Sequence, residues 1–121
     1  MRMMRDRGES LVEVIITIVV VSVTVTALIA GLSTATTAAT MHREHVTADL
    51  VIRSYAEATK LAVQSCTVGG RYTVAYTPPA GYSASGAGGV CPSITSAEVV
   101  RVTARSPSGL VKSLEIGLRT P

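Results

Sequence analysis

Few residues in this chain have the type and spacing that chemistry requires. Glu13 stands at the edge of an apolar run in which no residue from Val14 to Met41 is charged. A carboxylate bordering such a run is expensive to keep unless it has a partner or a function. Glu9 lies four residues earlier, so on a helix the two acids share a face. Cys66 and Cys91 form a second pair, able to join as a disulfide where the compartment is oxidising. His42, Glu44 and His45 could suggest a metal cluster, because residues three apart, as His42 and His45 are, share a helix face, and solvated polar residues account for them equally well. Gly81-Tyr82-Ser83-Ala84-Ser85-Gly86 has the wrong spacing for a nucleophile elbow. Gly86–Gly89 lacks the lysine and the following helix of a phosphate loop. No catalytic constellation is present, no cofactor or metal is implied, and an enzyme is not expected.

The element that carries Glu13 is a membrane segment. Val14–Leu32 is dense enough in Val, Ile, Leu and Ala to cross a bilayer, which takes about 20 predominantly apolar residues. Composition agrees: the 121 residues are 47% hydrophobic but only 3% aromatic, with no Phe or Trp, which is a poor palette for a large globular core. The chain therefore reads as one small domain with an apolar appendage. Arg2, Arg5 and Arg7 precede the run and the next charge is Arg43, so the positive-inside rule keeps the N-terminus cytoplasmic and sends everything after Met41 outside. Residues 1–8 hold three arginines and one aspartate of a chain whose net charge is +3, leaving the remainder at +1. That is not the footprint of a dedicated nucleic-acid binder. Arg71, Arg101, Arg105, Lys112 and Arg119 are scattered among acids, and nucleic acid as a partner stays undecided.

A cleavable secretory signal would need an apolar run of about 7–15 residues, which this one exceeds, and offers no reason for Glu13. A plain single-pass anchor accommodates the length but not the carboxylate. Arg5-Asp6-Arg7-Gly8 followed by Glu9-Ser10-Leu11-Val12-Glu13-Val14-Ile15-Ile16 resembles the start of a type IV prepilin or pseudopilin. In that family a short basic leader ends in Gly, a dedicated aspartic prepilin peptidase cuts after it, and the new terminus is usually N-methylated. The fifth mature residue is Glu, and an unbroken apolar helix follows. The resemblance implies that Gly8 ends the leader, that Glu9 is the new and methylated terminus, and that Glu13 is the assembly glutamate. It covers about the first 32 residues, and it departs from the family at Glu9, where Phe is most common. Gly31 falls where many members break the helix, and equally suits close packing against a neighbour.

Beyond Met41 an amphipathic helix is expected to continue to about Gln64, giving roughly 80 Å from Ser10 at 1.5 Å per residue. Asp49, Arg53 and Glu57 fall four apart as a charge ladder, and Val51, Tyr55, Ala58 and Ala62 form the apolar stripe. Gly69-Gly70 is the expected stop. Arg71–Tyr76 alternates as a half-buried strand. Ala97–Ala104 and Leu110–Leu118 are two more strands, joined by the turn residues Ser106-Pro107-Ser108-Gly109. Thr77–Val90, rich in Pro, Gly and Ser, is expected to be a loop. With the head outside the membrane, Cys66 and Cys91 read as a disulfide, the alternative being two unpaired buried thiols.

The expected architecture is α+β and type IV pilin-like: a long N-terminal helix, membrane-spanning in its first half, packed on a small antiparallel sheet. The expected parts are a leader (1–8), a transmembrane and filament-core half (9–41), an amphipathic half (42–65) and a disulfide-closed head (66–121). The implied function is a pilin or pseudopilin subunit of a pilus-like or type II secretion-like filament. The implied partners are homologous pilin subunits, the membrane, a prepilin peptidase, an assembly ATPase and a platform protein. The alternative is a permanently anchored single-pass protein with a small extracytoplasmic binding domain.

Overall fold

A computed structural model describes residues 6–93 and 97–120. Arg2 and Arg5 of the basic leader lie outside the described residues, as does the side chain of Glu9. Helix α1 spans Asp6–Gln64, and five strands follow: β1 (Arg71–Tyr72), β2 (Ser83–Ser85), β3 (Gly89–Val90), β4 (Glu98–Arg105) and β5 (Val111–Leu118). The chain divides into two compact units, Met1–Met41 and His42–Pro121. The layout is α+β, one long N-terminal apolar helix with small antiparallel sheets.

In the first unit α1 stands by itself, and every described residue from Ser10 to Met41 is exposed. An 18-residue window reaches a mean hydropathy of 2.6, which by length and composition is enough to cross a membrane. Val, Ile and Thr are mediocre helix formers in water. A backbone in lipid must bond within itself, so the same residues are helical there. The helix runs through Gly31 without a break, and a β-carbon added at Gly31 would meet nothing within 4 Å.

In the second unit the helix has one buried face. Ala48, Val51, Ile52, Tyr55, Ala56, Thr59 and Val63 are buried at helical spacing, and Val51, Ile52, Tyr55, Ala56 and Val63 form one core with Tyr72, Val102, Ala104, Ile116 and Leu118. The stripe is rotated from the expected one: Val51 and Tyr55 are inside, whereas Ala58 and Ala62 are only half-buried. Buried Thr59 turns its hydroxyl onto the Tyr55 carbonyl at 2.8 Å, so no polar atom is stranded there.

The main sheet has the order β2-β4-β5, antiparallel throughout, and β4 and β5 pair over eight consecutive positions from Glu98↔Leu118 to Arg105↔Val111. Their turn closes with the Gly109 N–H on the Ser106 carbonyl at 3.1 Å and the Ser106 N–H on the Leu110 carbonyl at 2.9 Å. Gly109 has φ 90°, the left-handed residue that a three-residue hairpin loop requires.

The Thr77–Val90 segment is not wholly loop, which corrects the expectation. β2 pairs with β4, and β3 pairs with β1 in a separate two-stranded sheet. Gly86 allows the two to be so close: its φ is 106°, and a β-carbon there would collide with the Arg101 carbonyl oxygen. Conversely, the strand expected over Arg71–Tyr76 forms a ladder only at Arg71–Tyr72. Residues 73–76 keep the alternating burial without a paired neighbour. The helix stops at Gln64, ahead of Gly69-Gly70. The glycines serve the next turn, where the Gly70 N–H bonds the Thr67 carbonyl at 2.9 Å.

Candidate functional site

Gly8, Glu9 and Glu13 all fall within α1, with Gly8 and Glu9 in its first turns. Glu13 is exposed, and together with Ser10, Val14, Thr17 and Ile18 it lines a shallow depression on the helix surface. The Thr17 hydroxyl donates to the Glu13 backbone carbonyl at 2.8 Å, which leaves the carboxylate itself unengaged by that neighbour. No ion pair engages Glu13 among the described residues. Glu13 is thus the one charged side chain between Ser10 and Met41 of the helix.

The hydroxyl residues of the rod bond inward. Thr17, Ser22, Thr24, Thr26, Thr34, Thr37 and Thr40 each donate to the carbonyl four residues back. Their polarity is consumed by their own backbone.

In the second unit Cys66 and Cys91 are joined as a disulfide with Cα atoms 5.9 Å apart and a sequence separation of 25. The bridge ties the end of α1 to the residue after β3. Two residues of that closed segment meet Tyr55 of α1: its hydroxyl accepts the Ala87 N–H at 3.3 Å and donates to the Ala87 carbonyl at 3.4 Å, and its ring meets Tyr76 edge-on at 5.8 Å. The Gly-rich stretch between β2 and β3 is thereby anchored to the helix through Ala87 as well as through the disulfide.

Of His42, Glu44 and His45, the structure commits Glu44 elsewhere. Its Oε1 accepts the backbone N–H of Ser108 at 3.0 Å, so the helix holds the tip of the β4–β5 hairpin. The Ser108 and Ser106 hydroxyls and the Ser108 N–H keep this carboxyl below its ordinary pKa. The ladder expected along Asp49, Arg53 and Glu57 is likewise redirected. Asp49 takes Lys112 of β5 at 2.7 Å, and Glu57 takes Lys60 at 2.9 Å. The Lys112 hydrogen bond depresses the Asp49 pKa. These helix-to-hairpin contacts were not legible beforehand, because an i,i+4 pattern on a helix contains nothing about a strand 63 residues away. Among the described residues no group of three or more His, Cys, Asp or Glu is placed to hold a metal ion.

Residues 3–29 match the family model described as the prokaryotic N-terminal methylation motif. This is the prepilin-type cleavage and methylation segment of type IV pilins, so the chain carries a pilin-like N-terminus on a pilin-like layout. The motif spans Gly8, Glu9 and Glu13, and belongs to proteins whose role is structural. No curated protein and no solved structure matches the chain.

Proposed function

We propose that this chain is the precursor of a structural subunit of a type IV pilus-like or type II secretion-like filament. It enters the membrane by its apolar helix, is cut between Gly8 and Glu9 by a prepilin peptidase, and leaves the bilayer to pack by that helix into a filament coated by the heads. The observation that supports this best is Glu13: the one charged residue among Ser10–Met41, exposed on the helix, inside the matched motif.

The cut supplies what that carboxylate lacks. An α-amino group of pKa about 7.7–8.0 is mostly cationic at neutral pH, and proteolysis after Gly8 creates one at Glu9. The amine of one subunit then pairs with Glu13 of the next. Removing one partner of a buried pair costs about 3–5 kcal/mol, whereas the intact pair gains little over an apolar replacement. The pair therefore sets axial register more than stability. Methylation at Glu9 keeps the amine basic. An assembly ATPase working from the cytoplasm and a platform protein in the membrane supply the work of extraction.

The test is intact mass and N-terminal sequencing of the chain from membranes that contain, or lack, a prepilin peptidase. The expected product begins at Glu9 only when the peptidase is present, with or without one added methyl. An uncut start at Met1 under both conditions would leave a permanent single-pass anchor. A start near Met41 would make the helix a secretory signal.

A further inference from the structure

We infer that the outer edge of β5 is a docking site for an acidic, extended peptide segment of a partner protein, which adds to the main sheet as a fourth strand. The site lies entirely in the second unit and does not depend on how the N-terminus is processed.

β5 ends the sheet order β2-β4-β5, so one side of an eight-residue strand has no ladder partner among the described residues. Proteins usually blunt such edges with a proline, a bulge or an outward lysine. β5 has no proline, and its register with β4 runs without a bulge. Its own charges are occupied, Lys112 by Asp49 and Glu115 by Arg101 at 2.7 Å. In an antiparallel pair, residues alternately turn their backbone groups toward and away from the partner. Counted from the Ser106 N–H bond to Leu110, the outward set is Val111, Ser113, Glu115 and Gly117. All four are exposed.

The space beside that edge is already shaped. A cleft of about 310 Å³ separates Ile52 and Arg53 of α1 from Lys112 and Leu114 of β5. A second, of about 220 Å³, separates Lys60 and Val63 from Leu118 and Arg119. Both lie along the same helix-to-β5 margin, with apolar floors at Ile52, Leu114 and Val63. Lys112 and Lys60 are compensated there by Asp49 and Glu57, and Arg53 at one cleft and Arg119 at the other take part in no ion pair among the described residues. A strand entering the margin meets unpaired backbone N–H and C=O groups, apolar contacts in the middle, and positive charge towards both ends. That is the recognition pattern of strand addition, with main-chain bonds giving affinity and alternate side chains giving selectivity. A polynucleotide matches the charge but not the alternating donors and acceptors, so a peptide is the better occupant.

The probe is a seven-residue peptide of alternating Val and Thr with Glu at each end, titrated onto the full chain in detergent micelles while backbone amides are followed by NMR. Shifts and slowed exchange should concentrate at Val111, Ser113, Glu115 and Gly117. N-methylating one alternate set of peptide amides should weaken binding by about tenfold or more, and methylating the other set should change it little, since only one set faces β5. Ser113→Pro, which removes an outward N–H and spares the β4 ladder, should weaken binding similarly, and Arg119→Glu should favour a lysine-ended peptide. Equal tolerance of both methylation patterns, or no binding, would overturn the inference. So would capture of oligodeoxythymidine in place of the peptide. Protection of the same amides in the chain alone, with doubled mass in solution, would make the occupant a second copy and overturn it too.

Discussion

One helix is handled in two opposite ways along its length. From Ser10 to Met41 every described side chain is exposed, whereas from Ala48 to Val63 one face is buried against strands. The difference follows from pattern, not from amount of hydrophobicity. Val14–Leu32 is apolar all round, and a helix of that kind has no face to give to a domain and another to give to water. Its neighbours must be lipid or other helices. The later stretch alternates charged and apolar residues at helical spacing, so its own chain is enough to cover it. The lesson is that uniform apolarity exports the packing problem beyond the chain, and a stripe solves it within.

The comparison breaks most sharply at Glu13. Glu13→Ala should abolish filament recovery in the sheared cell-surface fraction while leaving the melting of the head unchanged by circular dichroism. Filaments at normal yield would remove the ion pair from the mechanism. Core and rod should also differ in their response to the same truncation. Leu118→Ala, at a residue 1% exposed, should cost the head about 2–5 kcal/mol by denaturant titration. Leu28→Ala, at a residue 69% exposed, should leave that titration unmoved. The paired substitution of Cys66 and Cys91 by Ser should lower head stability by about 3–4 kcal/mol in the chain-entropy model for a 25-residue closure, and should match the effect of reductant on the native chain.

The smallest effect is with pH. Glu44 and Asp49 are both depressed by hydrogen bonds that the unfolded chain lacks, Glu44 from an ordinary 4.5 and Asp49 from 3.8. A depressed folded-state pKa adds stability that is complete above the unfolded value and is lost as pH falls through the folded one. Thermal melts should therefore be flat through neutrality and decline in acid, and the double variant Glu44→Gln, Asp49→Asn should show a shallower decline. An unchanged slope would place the acid sensitivity elsewhere.

What could be read from the sequence was what short-range pattern encodes. The helix, the β4–β5 hairpin and its turn residues were legible because periodicity, length and turn chemistry all act locally. The motif around Gly8 and Glu13 was legible for the same reason. β2 and β3 were hidden in Thr77–Val90 because strands of two or three residues have too little alternation to be seen, and their pairing depends on what β4 and β1 bring near. The Arg71–Tyr76 alternation was real in burial, but a strand needs a neighbour, and only Arg71–Tyr72 has one. Asp49 and Glu44 read as residues of their own helix alone, since nothing local reveals that Lys112 and the Ser108 turn arrive beside them. The free edge of β5 was invisible in principle, because an edge is defined by strand order.

The inward-turned hydroxyls of the rod have a further consequence. A threonine whose proton is spent on its own backbone shows its surroundings a methyl group, so Thr17, Thr24 and Thr34 are sterically and chemically close to valine as seen from outside. A hydropathy scale that scores them as polar undercounts the greasiness of this helix. Whatever lies alongside those threonines meets their lone pairs but no spare donor from them. Contact along that face is then a matter of contour more than of hydrogen bonding.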